Sequence, residues 1–403
     1  MNKTLINGDM LVELDKLEEN SIDAIVTDPP YELNFMNKGW DNSGISYRKE
    51  TWKKCLRVLK PGGYLLAFAA PRTQHRIACA IEDAGFEIRD TIMYIFGSGF
   101  PKNMDISKQF TKRCDENMDK LWSGFGTQLK PSYEPIIMAR KPIEGTVADN
   151  VIKYGVGGIN IDECRVPFEN TPNPATNPLY RQEHGYKHDR SKSVAENSVT
   201  RFNTSASDKP ISPLGRFPAN IILTYEDSDY DEVCGGFPET SSNKSEYNFD
   251  KSQSGHIYGF ANGGNIKSGV HYEDSGSACR YFYCAKASKR DRNEGLSIGK
   301  NTHPTVKPVS LMQYLVRLVS PKGSVILDPF MGSGSTGKGV AYENNDRNAN
   351  YSFIGIELQT EYFEIAKQRI DFAEGDNIPL EEPEKETKDP SIKDDSIKRK
   401  RLF

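Results

Sequence analysis

Asp28-Pro29-Pro30-Tyr31 puts an acid, two prolines and an aromatic ring in consecutive positions, directly after the apolar run Ser21 to Thr27. An exocyclic amine on a heteroaromatic ring is a poor nucleophile, because its lone pair is delocalised into the ring. Two hydrogen-bond acceptors placed off the ring plane favour the pyramidal geometry that frees this pair. The Asp28 carboxylate supplies one acceptor and the Pro29 carbonyl the other. The prolines fix φ and remove amide donors, which keeps the turn rigid and acceptor-rich. Tyr31 offers a face for stacking, and positioning and electrostatics carry most of such a reaction. Taken alone, the four residues are equally compatible with a stiff turn after a strand.

A second group of residues lies far downstream, in Ser324 to Gly339 (SVILDPFMGSGSTGKG). Gly332, Gly334 and Gly337 satisfy G-x-G-x-x-G, and Glu357 follows 20 residues after Gly337, as in a dinucleotide-binding turn. Gly332 with Gly337-Lys338 nearly forms a phosphate-cradling loop, but Gly339 stands where Ser or Thr must hold Mg²⁺. Asp328-Pro329-Phe330, between strand and glycines, argues against a pyrophosphate, which a carboxylate at the strand tip would repel. A ligand carrying an ammonium and a sulfonium suits that charge, with Glu357 accepting from ribose hydroxyls. S-adenosylmethionine is the cofactor best matched.

Both groups need a scaffold that brings strand ends together. Ser21 to Thr27, Tyr64 to Ala69, Phe86 to Ile95 and Ile136 to Ala139 read as strands. Helical spacing covers about Tyr47 to Leu59, stopped by Pro61-Gly62-Gly63, and Arg72 to Ala84, with Gly85 at the capping position. After His303 the alternation returns, with helices over Pro308–Val319, Thr336–Asn344 and Gln359–Phe372. Strands are expected over Ser324–Leu327 and Ser352–Ile356. Neither piece makes a covered sheet alone, so both are expected to join in one α/β sheet, mostly parallel.

Between them, Gly145 to Lys300 is rich in Asn, Ser, Gly, Tyr and Pro with weak periodicity. It reads either as an irregular insertion or as a recognition surface. Arg181, Lys187, Arg190, Lys192 and Arg201, interleaved with Tyr180 and Tyr186, form its locally basic stretch. His184 and His188 read as a surface pair and Cys279 and Cys284 as structural, so no metal is expected. The expected division is 1–142 and 301–373 for the α/β halves, 143–300 for the insertion, and 374–403 for a charged, disordered tail.

The net charge of −4 neither demands nor excludes nucleic acid, so any such contact must come from local patches. No apolar run is long enough to span a bilayer, and the start Met1-Asn2-Lys3-Thr4 lacks a secretory signal. Seven scattered cysteines without a C-x-x-C pair suit a reducing cytoplasm better than a disulfide framework.

The order of these motifs resembles the circularly permuted, or beta, group of amino-methylating DNA methyltransferases, of the N6-adenine and N4-cytosine type. Asn7-Gly8-Asp9 resembles that family's short N-terminal motif, and Thr302-His303-Pro304-Thr305 with Lys307-Pro308 its segment before the glycine turn. Leu59-Lys60-Pro61-Gly62-Gly63 and Lys130-Pro131-Ser132-Tyr133-Glu134-Pro135 are also similar. The likeness covers roughly 1–142 and 301–372. It implies a seven-stranded, mostly parallel sheet of the S-adenosylmethionine-dependent methyltransferase type, with the region between as target recognition region.

It also implies that Asp28, Pro29, Pro30 and Tyr31 are catalytic. Asp9, His303, Lys307, Asp328, Pro329, Phe330, Gly332, Ser333, Gly334, Thr336 and Glu357 would hold the cofactor. The implied substrate is double-stranded DNA, its target base flipped into the site. Asp at position 28 favours adenine, while N4-cytosine and RNA stay open, as do a P-loop ATPase and an inactive DNA-binding module. Many members dimerise, so a homodimer is an expectation, and a cognate restriction endonuclease is an open partner.

Overall fold

The computed structural model describes residues 1–33, 39–97, 103–112, 116–166, 215–224, 237–242, 274–285, 291–297 and 299–375. The basic stretch from Tyr180 to Arg201, His184, His188 and the tail beyond 375 lie outside them.

Five strands come from the first third of the chain: β1 (Lys3–Asn7), β2 (Ile22–Thr27), β3 (Leu59–Phe68), β4 (Glu87–Phe96) and β5 (Tyr133–Arg140). The middle supplies β6 (Ile221–Thr224), β7 (Glu239–Ser242), β8 (Asp274–Ser277) and β9 (Tyr283–Cys284). The last part adds β10 (Val325–Asp328) and β11 (Ser352–Glu357). The helices are α1 (Met10–Glu13), α2 (Lys49–Val58), α3 (Gln74–Asp83), α4 (Ile106–Thr111), α5 (Glu116–Leu121) and α6 (Val147–Tyr154). They continue with α7 (Val309–Val319), α8 (Ser335–Arg347) and α9 (Thr360–Ala373).

One sheet runs β1-β11-β10-β2-β3-β5-β4-β6-β9, and β7 pairs with β8 separately. Every neighbouring pair in the large sheet is parallel except at β5, which is antiparallel to both β3 and β4. The two terminal pieces therefore complete one mostly parallel sheet of seven strands. The middle region, expected to be loop-rich, extends it by β6 and β9 to nine.

Both faces of the sheet are covered, which explains why its strands read as continuous apolar runs. Along β3, Tyr64, Leu66 and Phe68 enter one core with Leu311, Met312 and Leu315 of α7. Leu65 and Ala67 enter the other with Trp52 and Cys55 of α2 and Ile77 and Ile81 of α3. This is the two-residue alternation of a strand meeting helical stripes on either side.

One local expectation is corrected. Pro61-Gly62-Gly63 does not stop α2, which already ends at Val58. Ile22 pairs with Leu59 and Ala24 with Tyr64, so the intervening residues of β3 bulge out of the ladder. Among the described residues, Cys55, Cys79 and Cys164 are free thiols, while Cys279 is disulfide-bonded. No helix among them is long and apolar enough to cross a membrane.

Asp23 ties the two terminal pieces where their strands begin. Its Oδ1 pairs with Lys60 Nζ at 2.6 Å, and its Oδ2 accepts from Val325 N at 2.7 Å. Asp23→Ala leaves that part-buried amide without its acceptor, and a urea titration should show a loss of about 1–3 kcal/mol. An unchanged midpoint would mean that the strand ladder alone holds the pieces together.

Candidate active site

β2 and β10 are neighbours, paired in parallel at Ile326 with Ala24 and Leu327 with Ile25. From β10 the chain crosses through α8 to β11 on one side; from β2 it crosses through α2 to β3 on the other. This reversal is a topological switch point, and the crevice beyond its carboxyl strand ends is where open α/β sheets bind ligands. Each of the two strands runs into an Asp-Pro pair, Asp28-Pro29 and Asp328-Pro329, so the register alone brings the two motifs side by side.

The two acids have opposite fates. Asp328 turns inward: Thr27 Oγ1 donates to its Oδ1 at 2.7 Å, and Thr336 Oγ1 donates to its Oδ2 at 2.6 Å. Phe330 N also donates to Oδ1, at 3.2 Å. Burial raises its carboxyl to about 6 despite these donors. Asp328 thus clamps β2, β10 and the start of α8 together. Asp28 faces the crevice instead. Its Oδ2 accepts from Lys307 Nζ at 2.8 Å, while its Oδ1 is buried and has no hydrogen-bond partner.

A cavity of about 1440 Å³ opens over the strand ends. That exceeds the roughly 300–1,000 Å³ usual for one small ligand and leaves room for two. Asp28, Pro29, Pro30 and Tyr31 line it, and so do Asp9, His303, Pro329, Phe330, Gly332 and Glu357. Lys307, Asp328, Ser333, Gly334 and Thr336 do not. Thr336 serves Asp328, Ser333 accepts from the Arg369 guanidinium, and Lys307 is committed to Asp28. The expectation that Asp328 itself faces a ligand's positive charge is therefore corrected, since burial under the glycine turn has turned both its oxygens inward.

The glycine turn is shaped for close approach. Gly332 has φ +53°, and a Cβ there would lie 3.0 Å from His303 Nε2; Gly334 has φ +80°, and a Cβ would meet Ala366 at 3.0 Å. Only glycine accepts such backbone in such space. Glu357, at the end of β11, accepts from Gly332 N and Gln359 N, both at 2.8 Å. Burial lowers the His303 imidazole to about 4. Its Nδ1 lies 2.8 Å from the Thr305 carbonyl, which assigns the proton to Nδ1 in the neutral ring. Asp9 caps α1 through Leu11 N and stays exposed at the cavity.

Glu134 was quoted in the sequence only as part of a family-like segment, yet it completes the site. It is the second residue of β5, whose last six residues are all buried, and an acid just before that buried run was the available signal. Its Oε2 accepts from Tyr31 Oη at 3.2 Å and pairs with Lys307 Nζ at 3.1 Å. Burial together with the Asp28 and Glu134 carboxylates pushes the Tyr31 hydroxyl well above its ordinary value. Lys338, the lysine of the near-match to a phosphate loop, is fully buried between Asp291 Oδ1 at 3.0 Å and Glu294 Oε2 at 2.8 Å. It has no reach to a nucleotide phosphate, which removes the ATPase reading.

The arrangement is an α/β fold with a cavity beyond its strand ends and, on a residue lining that cavity, a carboxylate oxygen without a hydrogen-bond partner. A family model described as DNA methylase, of the N6/N4 type, matches residues 22–368, and the chain belongs to that family. It is a DNA methyltransferase, and S-adenosylmethionine is the methyl donor expected from its sequence. Type II methyltransferase M.HindIII of Haemophilus influenzae is 22% identical over 408 residues, covering 91% of this chain and 94% of that protein. Type II methyltransferase M.HpaI of Haemophilus parainfluenzae is 24% identical over 379 residues, covering 92% and 75%. The crystal structure of the M1.HpyAVI–SAM complex aligns over 92% of this chain and 99% of that one, at 16% identity and a TM-score of 0.40.

The residues present fit this donor. The cavity has volume beyond one base, and Glu357 opens onto it with a carboxyl already organised by two amides. Burial raises Glu357 from 4.5 to about 7. Its folded value lies above the unfolded one, so between these two pH values the folded chain holds more protons and this group's contribution to stability falls as pH rises. Across that window the urea midpoint of Glu357→Gln should gain on that of the parent protein with increasing pH. Parallel pH profiles would show that Glu357 does not titrate in this way.

Proposed function

We propose that the protein methylates the N6 amine of adenine at specific sites in double-stranded DNA, on a base flipped out of the helix into the cavity. The observation that carries this reading is Asp28 Oδ1, a buried acceptor without a hydrogen-bond partner on a residue that lines the cavity at the switch point. A buried acceptor left unmade costs free energy, about 1–3 kcal/mol, which a donor from the substrate recovers. An amine N–H is such a donor.

In this reading Asp28 Oδ1 accepts one amine N–H and the Pro29 carbonyl the other, which tilts the nitrogen lone pair out of conjugation. Tyr31 stacks on the base. When bound, S-adenosylmethionine supplies an electrophilic methyl group whose bond to sulfur breaks with the electron pair left on sulfur. Glu357 would hold ribose hydroxyls and Asp9 the adenine end of the donor, while His303, Pro329, Phe330 and Gly332 would form the rest of its pocket. Ser333, Gly334 and Thr336 shape the turn from beneath, with Asp328 as their tie. Asp28 takes or shares the proton that the amine gives up. Adenine rather than cytosine is favoured by the acid at position 28, since the resemblance links Asp with N6 and Ser with N4 methylation.

Residues 143–300 are assigned to target recognition in this reading, with the α/β halves at 1–142 and 301–373. A cytoplasmic enzyme, a homodimer and a cognate restriction endonuclease belong to the same proposal.

Unmethylated genomic DNA treated with the enzyme and labelled S-adenosylmethionine, then digested to nucleosides, should yield N6-methyladenine by mass. N4-methylcytosine in its place would reassign the base. Asp28→Ala should lower the rate by more than about tenfold, in keeping with loss of an acceptor that acts in the transition state. Full activity in that variant would overturn the mechanism.

A further inference from the structure

Lys307 was assigned from sequence to the cofactor pocket, but the structure places its ammonium elsewhere. The Nζ lies 2.8 Å from Asp28 Oδ2, 3.0 Å from Tyr31 Oη and 3.1 Å from Glu134 Oε2. An ammonium has three N–H groups, and these three acceptors use them all. None is left over for a second ligand. The nitrogen also sits 5.2 Å from the Tyr31 ring centroid and 4.8 Å from that of Phe68, so rings close it off.

We propose that Lys307 is a positioning residue for the target base rather than a cofactor ligand. Its ammonium fixes the Asp28 carboxylate by Oδ2, so that Oδ1 alone faces the amine, and it orients Tyr31 for stacking. This rests on the reading of Asp28 as the amine's acceptor.

The three partners reach Lys307 from different parts of the fold. Asp28 and Tyr31 follow β2 and Glu134 is the second residue of β5, whereas Lys307 precedes α7, whose Val309 N is held by Asp291 Oδ2 at 2.9 Å. The lysine is thus anchored from the C-terminal half while its head serves the N-terminal half. A carboxylate gripped at one oxygen cannot rotate freely, and the unpartnered Oδ1 is the atom this leaves over. Two carboxylates and one ammonium also leave the cluster with a formal surplus of one negative charge, which suits an amine that gains positive character as it is methylated. Burial would lower the lysine's affinity for its proton, but Asp28 and Glu134 raise it, so it stays charged. The charged and titratable groups that face Asp28 are Lys307, Glu134, Tyr31, His303 and Asp328.

The test uses the full chain, tritiated S-adenosylmethionine and unmethylated genomic DNA. Lys307→Met should lower kcat about 100-fold, while the dissociation constant of S-adenosylmethionine stays within about threefold. Lys307→Met combined with Glu134→Gln should keep kcat low and leave the dissociation constant of S-adenosylmethionine unchanged. Glu134→Gln alone, should Lys307→Met fail to fold, should lower kcat about tenfold and leave cofactor binding unchanged. Weaker cofactor binding with an intact kcat in Lys307→Met, or an unchanged kcat in Glu134→Gln, would overturn the proposal. Absence of methyl transfer by the unaltered protein would instead defeat the proposed function itself.

Discussion

Parallel pairing of β2 with β10 is the constraint on which the site depends. The two strands are separated by some three hundred residues of chain, yet Leu327 sits opposite Ile25 and their ends coincide. Hydrogen bonds from Thr27 and Thr336 to Asp328 then bind the two strand ends and the following helix into one unit. A slip of one residue would reverse the facing of every side chain on β10 and remove Asp328 from Thr27. Both buried faces of the sheet oppose such a slip, because the apolar alternation of β2 and β3 fits only one register.

Two aspartates, each at a strand end and followed by proline, show how surroundings divide labour. Asp328 is enclosed by hydroxyls and a backbone amide, all donors, and spends its acceptor capacity on the fold. Asp28 meets a single cation and keeps one oxygen unmatched. The first arrangement is a satisfied buried polar network, which rigidifies. The second keeps an acceptor in reserve, which is characteristic of a site prepared for a ligand. The glycine turn shows the same division: Lys338, which by spacing mimics a phosphate ligand, is held inside by Asp291 and Glu294.

Much of this was legible in the residues before any coordinates. The strands over Ser21–Thr27 and Ser324–Leu327, the helices over Pro308–Val319 and Gln359–Phe372, and the union of both ends in one sheet, each observed within a residue or two, follow from periodicity and from pieces too small to be covered alone. Asp28 and Glu357 were identifiable because acids at strand ends after apolar runs are costly unless used. Pro61-Gly62-Gly63 misled, since a bulge inside a strand and a helix stop draw on the same residues. The inward turn of Asp328 was also out of reach, because its partners Thr27 and Thr336 carry no local sign of which acid they serve.

The sequence by itself determined the class of fold, the family and the two acid-proline motifs, since these depend on local pattern and on order along the chain. Tertiary structure alone decided which acid is free and which is locked, and it brought Lys307 to Asp28 across 279 residues and Glu134 to Tyr31 across 103. The reason is physical: such contacts depend on sheet register and on the competition of neighbouring donors for each oxygen, and neither is encoded within any short stretch of residues.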